Sequence, residues 1–389
     1  MDYSKLLSDK VQVIKPSGIR KFFDMLSGMK DVISLTVGQP DFPTPYHISN
    51  AAVESITKNK TYYTSNSGLP ELREGIANYL NRRFDLRYDA MSEIFVTVGG
   101  SEAIDMALRA IINPGDEIIV PEPCFVCYSP LIEIMGGVAV PLYTDVKDRF
   151  KVTLEKLRPL LGEKTKAIVL SYPNNPTGAI MTKQDLEKIV PMLVEHNVLV
   201  LSDEIYGELT YTTAHTSIAS LPGMRERTIV VSGFSKAYAM TGWRLGYVAA
   251  PAPIIKQMLK LHQYGIMCAA TASQYAGVEA INAGDDDIQY MKEQYDLRRV
   301  YVVKRLRGMG LECFEPEGAF YVFPRIDNFG MTSEEFCQRL LDERRVAIVP
   351  GSAFGEGSEG FARISYAYSI DHLTIALDRM EEFIKDLKK

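Results

Sequence analysis

The sequence predicts an α/β protein with a layered open sheet, and three observations support this. Short runs rich in β-branched and apolar residues alternate with longer segments of helical pattern. Most of these runs are continuously apolar, which is typical of strands that a parallel sheet buries on both faces. After about Ala250 the pattern changes to long charged helices followed by short strands, which predicts a second, smaller α+β domain.

The elements follow in order along the chain. Strands are predicted at Glu93–Val98, Glu117–Pro121, Val138–Leu142, Lys166–Ser171, Val198–Ser202, Thr228–Ser232 and Arg244–Ala250. Helices are predicted at Ser101–Ile112, before Lys166, at Thr182–Glu195 and at Asp285–Gly308, with further short strands in AFYVFP and FARISYA.

Length and composition restrict the class of protein. The chain has 389 residues, 46% of them hydrophobic and 24% charged, which is typical of a globular protein of roughly two to three domains. The net charge of −6 argues against electrostatic wrapping of nucleic acid. No run approaches the roughly 18 apolar residues of a membrane span, so we expect no membrane association.

The N-terminus and the cysteines indicate a location. MDYSKLLSDK lacks the long apolar core of a signal peptide, and five cysteines in so long a chain do not form a disulfide scaffold. We therefore expect a cytoplasmic protein.

Several short motifs are weak. Gly355, Gly357 and Gly360 match G-x-G-x-x-G but precede a strand, so we interpret them as a turn rather than a dinucleotide site. Cys124 and Cys127 form a single C-x-x-C pair with no second pair, which favours packing over zinc or redox chemistry. The five histidines are scattered, so we expect no metal site, and no Walker sequence occurs, which disfavours a phosphoryl-transfer enzyme.

Two cationic residues near predicted strand ends could act on a ligand. Lys236 follows an apolar strand among small and aromatic neighbours, where desolvation lowers an amine pKa and produces a nucleophile or base. Arg244 begins the next strand and suits a phosphate or carboxylate. A surface lysine and a routine ion pair are the alternatives.

Polar residues also follow three other strands. Asp203 could hold a protonated ring nitrogen, or it could cap a helix, and Tyr206 could reach the same ligand. Asn175 could be aimed inward, or it could serve the YPNNPTG turn. Gly100, Ser101 and Glu102 could offer amides at a helix N-terminus to a phosphate, although glycine turns before helices are common.

Together these groups suit one ligand that carries a phosphate, a basic ring nitrogen and a carbonyl. A lysine Schiff base with an Asp partner to the ring nitrogen is the usual protein environment of pyridoxal phosphate (PLP). The sequence therefore predicts PLP as cofactor.

Nearly the whole chain, from SGIRKF to FARISYA, resembles the class I/II aminotransferases of PLP fold type I. NPTG, SDE-x-Y and S-x-SK-x-x-x-M-T-G-W-R-x-G carry the resemblance, and aspartate, aromatic and N-acetyl-diaminopimelate aminotransferases are the most similar subgroup. The resemblance implies a large domain (46–282) with a mostly parallel sheet between helices, and a small α+β domain from residues 1–45 and 283–389.

The resemblance also implies roles in cofactor binding. Lys236 would form the Schiff base and then move the proton, and Asp203 would hold the ring nitrogen. The other implied contacts are Asn175 and Tyr206 beside the ring hydroxyl, Phe125 stacked on the ring, and Gly100, Ser101, Glu102, Arg244 and Ser235 around the phosphate. Tyr63 would reach the phosphate of a neighbouring subunit, which implies a homodimer with shared active sites.

For the substrate, the resemblance implies that Arg363 clamps the α-carboxylate with help from Gly38 and Asn175. Ile19 and Tyr321 would line the side-chain pocket. Aspartate-selective members carry a lysine where this chain has Ser101, which weakens an aspartate specificity.

We therefore expect an aminotransferase that passes an amino group from an L-amino acid to a 2-oxo acid such as 2-oxoglutarate. The expected donors are aromatic amino acids or N-acetyl-diaminopimelate before aspartate. A PLP-dependent C–S lyase of the same fold is the alternative, and a PLP-binding transcriptional regulator would need a DNA-binding segment that the sequence does not show.

Overall fold

The computed structural model describes residues 1–12, 14–16, 29 and 31–389. The strands are β1 (Ile33–Ser34), β2 (Ile94–Thr97), β3 (Glu117–Glu122), β4 (Val138–Tyr143), β5 (Thr165–Ser171), β6 (Leu199–Asp203), β7 (Thr228–Gly233), β8 (Gly246–Ala249), β9 (Tyr321–Val322), β10 (Val346–Ala347), β11 (Val349–Pro350) and β12 (Ala362–Ser365).

One helix precedes these strands, and the others lie between and after them. The helices are α1 (Asp9–Gln12), α2 (Tyr46–Thr57), α3 (Pro70–Phe84), α4 (Gly99–Ile111), α5 (Tyr128–Ile134), α6 (Leu154–Leu157), α7 (Lys183–Glu195), α8 (Ala252–Gly265), α9 (Thr271–Ala283), α10 (Asp285–Gly308), α11 (Ser333–Arg344) and α12 (Ile370–Leu387).

The seven strands β2 to β8 form one sheet in the order β2-β8-β7-β6-β5-β3-β4. Strand β8 is antiparallel to both of its neighbours, and the remaining pairs are parallel. The α/β class with a mostly parallel sheet between helices is therefore confirmed.

Two predicted elements differ in extent. The strand predicted from Arg244 begins at Gly246, because Arg244 has a φ of 49° and cannot belong to a strand. The helix predicted before Lys166 is only α6 followed by a 3₁₀ turn at Arg158–Leu160, which contains a proline.

Smaller sheets lie in the C-terminal part of the chain. Strand β12 pairs with β11 and β9, and β1 pairs with β10, which joins the N-terminal segment to residues near 346. One hydrophobic cluster, made largely of residues after 290 and including Leu35, packs around these strands and α10 to α12. This arrangement agrees with the predicted small domain, although the exact domain boundaries stay a prediction.

The sheet topology places the carboxyl ends of several strands at one edge of the large sheet. Strands β2, β3, β5, β6 and β7 all end at this edge, and the antiparallel β8 begins there. In open α/β sheets, ligands bind outside the carboxyl ends of the strands. Within the described ranges, no helix is long and apolar enough to cross a membrane.

Candidate active site

A cavity of about 330 Å³ lies at this edge of the sheet. It collects most of the residues predicted from the sequence, namely Gly38, Gly100, Ser101, Phe125, Asn175, Asp203, Tyr206, Ser235, Lys236, Arg244, Tyr321 and Arg363. Its volume falls at the lower end of the roughly 300–1,000 Å³ of small-molecule sites.

Lys236 lies in the turn after β7 and points into the cavity, where its Nζ donates to the carbonyl oxygen of Gly38. Burial, followed by the charges of Arg363 and Arg244, lowers the pKa of this amine to about 8, and the Asp203 carboxylate acts in the opposite direction. With this pKa about one amine in ten is neutral at pH 7, far more than for an ordinary lysine, so the group can act as a nucleophile or base.

Asp203 ends β6 as a buried carboxylate. Its Oδ2 accepts a hydrogen bond from the Tyr128 hydroxyl at 2.7 Å, and its Oδ1 accepts one from the Ile205 amide at 3.1 Å. Burial raises the Asp203 pKa, and the bond from Tyr128 offsets part of that rise. A cation beside Asp203 would favour the charged carboxylate, which suits a protonated ring nitrogen.

Arg363 lies on β12 and faces the cavity from the side of the small sheet. Its Nη1 donates to Asn175 Oδ1 at 2.9 Å and its Nη2 donates to the carbonyl oxygen of Thr36. The residue is 3% exposed, its Nε has no hydrogen-bond partner, and it forms no salt bridge with any described carboxylate. A buried guanidinium without an anion is costly, so this arrangement suits a carboxylate ligand.

Arg244 and the start of α4 form a second anion site. Gly99 has a φ of 72°, and a Cβ at this position would lie 2.5 Å from Arg244 Nη2, so only glycine allows this approach. Gly100 and Ser101 follow at the helix N-terminus, where free amides and the helix dipole favour a phosphate.

Aromatic residues form the walls between the two anion sites. The hydroxyl groups of Tyr206 and Tyr321 lie 2.7 Å apart, and both side chains are buried. Phe125 faces the cavity beside Tyr128, with ring centroids 6.3 Å apart. These walls suit a flat ring with a polar substituent.

Two predicted site residues, Glu102 and Tyr63, do not line this cavity, and a third cannot be placed. The Glu102 side chain turns away to the Val98 amide and to His262, and its own amide follows the four that the start of α4 leaves without intrahelical partners. Tyr63 is 82% exposed and lies outside the cavity of its own subunit. Ile19 lies outside the described residues.

Sequence reasoning missed other contributors. Thr36, Val37, Gln39, Ile104, Ser171, Ile205 and Thr241 also line the cavity. Tyr128 is fully buried and holds Asp203 from α5, and Asn174 fixes the turn before Asn175 through bonds from the Thr177 hydroxyl and amide. The pairing of Tyr128 with Asp203 spans 75 positions, so no local pattern could indicate it.

The two weak motifs have structural explanations. Cys124 and Cys127 are free thiols whose pKa values burial raises, which disfavours the reactive thiolate. The Gly355–Gly360 loop precedes β12, and Gly355 lies against the Glu122 side chain. Among the described residues, no cluster of three His, Cys, Asp or Glu side chains could hold a metal ion.

Comparison with known proteins identifies the family. The family model for aminotransferase class I and II matches residues 30–380. The chain is 48% identical over 385 residues to a Bacillus subtilis protein named "Probable N-acetyl-LL-diaminopimelate aminotransferase", covering 99% of this chain and 96% of that relative. It is 46% identical over 385 residues to an aspartate aminotransferase of Pyrococcus abyssi, covering 98% and 99% of the two chains.

A solved structure, the aromatic aminotransferase from Pyrococcus horikoshii OT3, matches with a TM-score of 0.90 and 46% identity, covering 94% of this chain and 99% of that one. These three relatives are named for three different donors at almost the same identity, so overall identity does not determine the substrate. The fold, the strand-end cavity and these matches together establish that the chain belongs to the class I and II aminotransferases.

Proposed function

We propose that this protein binds PLP in the cavity and uses it to pass an amino group from an L-amino acid to a 2-oxo acid, with 2-oxoglutarate as acceptor. The observation that carries the proposal is the grouping of Lys236, Asp203, Arg244 and Arg363 around one cavity. When bound, PLP supplies an aldehyde that reacts with amines and a ring that accepts electrons.

The residues present fit this cofactor. Arg244 and the amides at the start of α4 would hold the phosphate, and Asp203 would hold the ring nitrogen. Phe125 would pack on the ring face, with Asn175 and Tyr206 at the ring hydroxyl and Ser235 beside the phosphate. Each polar group of the cofactor would therefore have a partner of opposite charge or a hydrogen-bonding partner.

Arg363 would bind the substrate α-carboxylate in a two-pronged pair, because Asn175 and Thr36 already fix the plane of its guanidinium. Gly38 lies beside this site, and its carbonyl oxygen holds the Lys236 amine. With the carboxylate bound in this way, the substrate amino group and α-proton would face Lys236, which would act as the base and then return the proton.

We propose an aromatic amino acid or N-acetyl-diaminopimelate as the donor. The cationic side chains that line the cavity in the described chain are Lys236, Arg244 and Arg363, and each already has a role. Ser101 offers no charge to a distal carboxylate, while Tyr321 and Phe125 provide apolar surface. This composition supports an aromatic donor over aspartate, whereas N-acetyl-diaminopimelate, whose side chain also ends in a carboxylate, is supported by the similarity to its named relative.

The test is a panel of amino acids added one at a time to the PLP-loaded enzyme without any 2-oxo acid. An aminotransferase converts its bound cofactor once, releasing about one 2-oxo acid per site, and the absorbance change ranks the donors. Continuous release of ammonia and pyruvate from cystathionine would instead indicate a C–S lyase and overturn the proposal. Aspartate ranking above every aromatic and diaminopimelate donor would overturn the donor assignment.

We further propose that the enzyme is a homodimer with shared active sites. Tyr63 and its neighbour Tyr62 are 82% and 80% exposed, so both phenols project from the surface of a single chain. A phenol so exposed can reach the phosphate site of a second copy.

A further inference from the structure

A histidine–glutamate pair lies directly behind the α4 N-terminus. His262, on α8, is 0% exposed, and its Nδ1 lies 2.6 Å from Glu102 Oε1. The other Glu102 oxygen accepts a hydrogen bond from the Val98 amide, at the residue that precedes α4. The pair therefore connects α8 to the turn that forms the anion site.

The His262 side chain has no other polar contact among the described residues. Its Nε2 is buried without a hydrogen-bond partner, and its ring packs 5.4 Å from the ring of Phe95. A buried polar atom without a partner costs free energy, which an apolar side chain would avoid. The contact with Glu102 is thus the polar interaction that a histidine supplies here.

The position of Glu102 determines which amides are free. A helix leaves four amides without intrahelical partners at its start, here those of Val98, Gly99, Gly100 and Ser101. The Glu102 carboxylate takes the Val98 amide, which leaves the amides of the cavity-lining Gly100 and Ser101 for a ligand. If the carboxylate turned towards the cavity, its charge would repel a phosphate.

We infer that His262 is a positioning residue for the phosphate: it holds the Glu102 carboxylate on the Val98 amide and away from the anion site. This inference rests on the proposed binding of PLP. It predicts that His262 affects ligands through their phosphate group, since the pair does not line the part of the cavity formed by Asp203 and Phe125.

The test compares PLP with pyridoxal, which lacks the phosphate, by measuring the dissociation constant of each from the apo-protein. H262F removes the donor to Glu102 while keeping a ring beside Phe95. H262N and H262Q form a matched pair, because the amide nitrogen of Asn superposes on Nδ1 and that of Gln reaches the Nε2 position. H47F is the control, since His47 contacts Glu279 and Asp287 away from the cavity.

We expect H262F to raise the PLP dissociation constant about tenfold or more, as is common when a residue supporting a ligand-binding group is lost. The pyridoxal constant should change less than about threefold, and H47F should change neither. H262N should recover most of the loss and H262Q should not. Adding E102Q to H262F should improve PLP binding over H262F alone, because it removes the released charge.

Equal losses for PLP and pyridoxal would assign His262 a general structural role and overturn the inference, as would an unchanged PLP constant. If H262F does not fold, the difference between H262N and H262Q decides in the same way. Failure of the wild-type protein to bind PLP would overturn the proposed function itself, so the two failures are distinguishable.

Discussion

Lys236 combines burial with two nearby guanidinium groups, and this environment determines when its amine can react. Its pKa is lowered from 10.5 to about 8, so its neutral form is favoured relative to a free lysine. At pH 8 about half of the amines are neutral, against roughly 0.3% for a lysine of ordinary pKa. Reactivity towards an aldehyde is therefore gained as pH rises through about 8.

We predict that the rate at which the apo-protein captures PLP increases with pH, with a midpoint near 8, and levels off above it. R363Q removes a cation beside the amine and should move the midpoint to higher pH. Stopped-flow absorbance across a pH series measures both midpoints. A midpoint near 10, or a downward shift in R363Q, would contradict this electrostatic account.

Arg363 offers a prediction about substrate binding. R363K keeps the charge but loses the planar pair of donors, so the KM for the amino donor should rise about tenfold or more. Binding of PLP should change much less, because the proposed phosphate site lies at Arg244 and α4. Steady-state kinetics and PLP titration test the two parts, and an unchanged KM would exclude the carboxylate clamp.

At the residue scale the sequence identifies residues at or just after strand ends, such as Asp203 and Lys236, because strand ends are recognisable and lie at one edge of the sheet. It misses Tyr128 and His262, which lie inside helices. Their partners are 75 and 160 positions away, and only the packed structure brings them together.

At the scale of elements, the loop before β12 gives the G-x-G-x-x-G motif of Gly355, Gly357 and Gly360 a structural role in place of nucleotide binding. Gly355 has a φ of 122°, and a Cβ there would lie 2.3 Å from Glu122 Oε2, at the end of β3. The Phe354 carbonyl oxygen also accepts a hydrogen bond from the Cys124 amide at 3.2 Å. The loop thus joins the end of the large sheet to the strand that carries Arg363.

We predict that G355A destabilises the protein by about 2–4 kcal/mol, because strain of the backbone and a collision with Glu122 act together. G115A is the matched control, since Gly115 has a φ of 87° with no atom within 4 Å of the added Cβ. It should cost only about 1–2 kcal/mol from backbone strain. Chemical denaturation measures both, and equal losses would show that the contact with Glu122 is unimportant.

At the element scale, the sequence predicts which segments form strands and how strands alternate with helices, because buried apolar runs are long and bounded by turn residues. The start of β8 was not predictable, since the local sequence gives no sign of the positive φ of Arg244. The antiparallel direction of β8 also depends on its partners rather than on its own sequence.

For the whole molecule, the alternation of strands and helices predicts the class, and the change of pattern after Ala250 predicts two domains. The assembly of subunits instead depends on surfaces that no sequence periodicity describes. The exposure of Tyr63 is the structural feature that supports a dimer. If Tyr63 serves the neighbouring subunit, two different defects should complement each other.

We predict that inactive K236A and weakly active Y63A proteins regain activity when they are unfolded together and refolded as mixed dimers. Each mixed dimer has one site with Lys236 from one chain and Tyr63 from the other. Each protein refolded alone is the control, and sedimentation should show a dimer. If Tyr63 acts within its own subunit, mixing would restore nothing.

The central claim is that PLP forms a covalent bond with the Lys236 amine, in a site formed by the strand ends of the large sheet and by Arg363. Borohydride reduction of the PLP-loaded protein, followed by digestion and mass spectrometry, tests it most directly. The account predicts one pyridoxyl group per chain, on the peptide that contains Lys236, and none in K236A. A stoichiometric label on a different lysine, or an undiminished label in K236A, would contradict it.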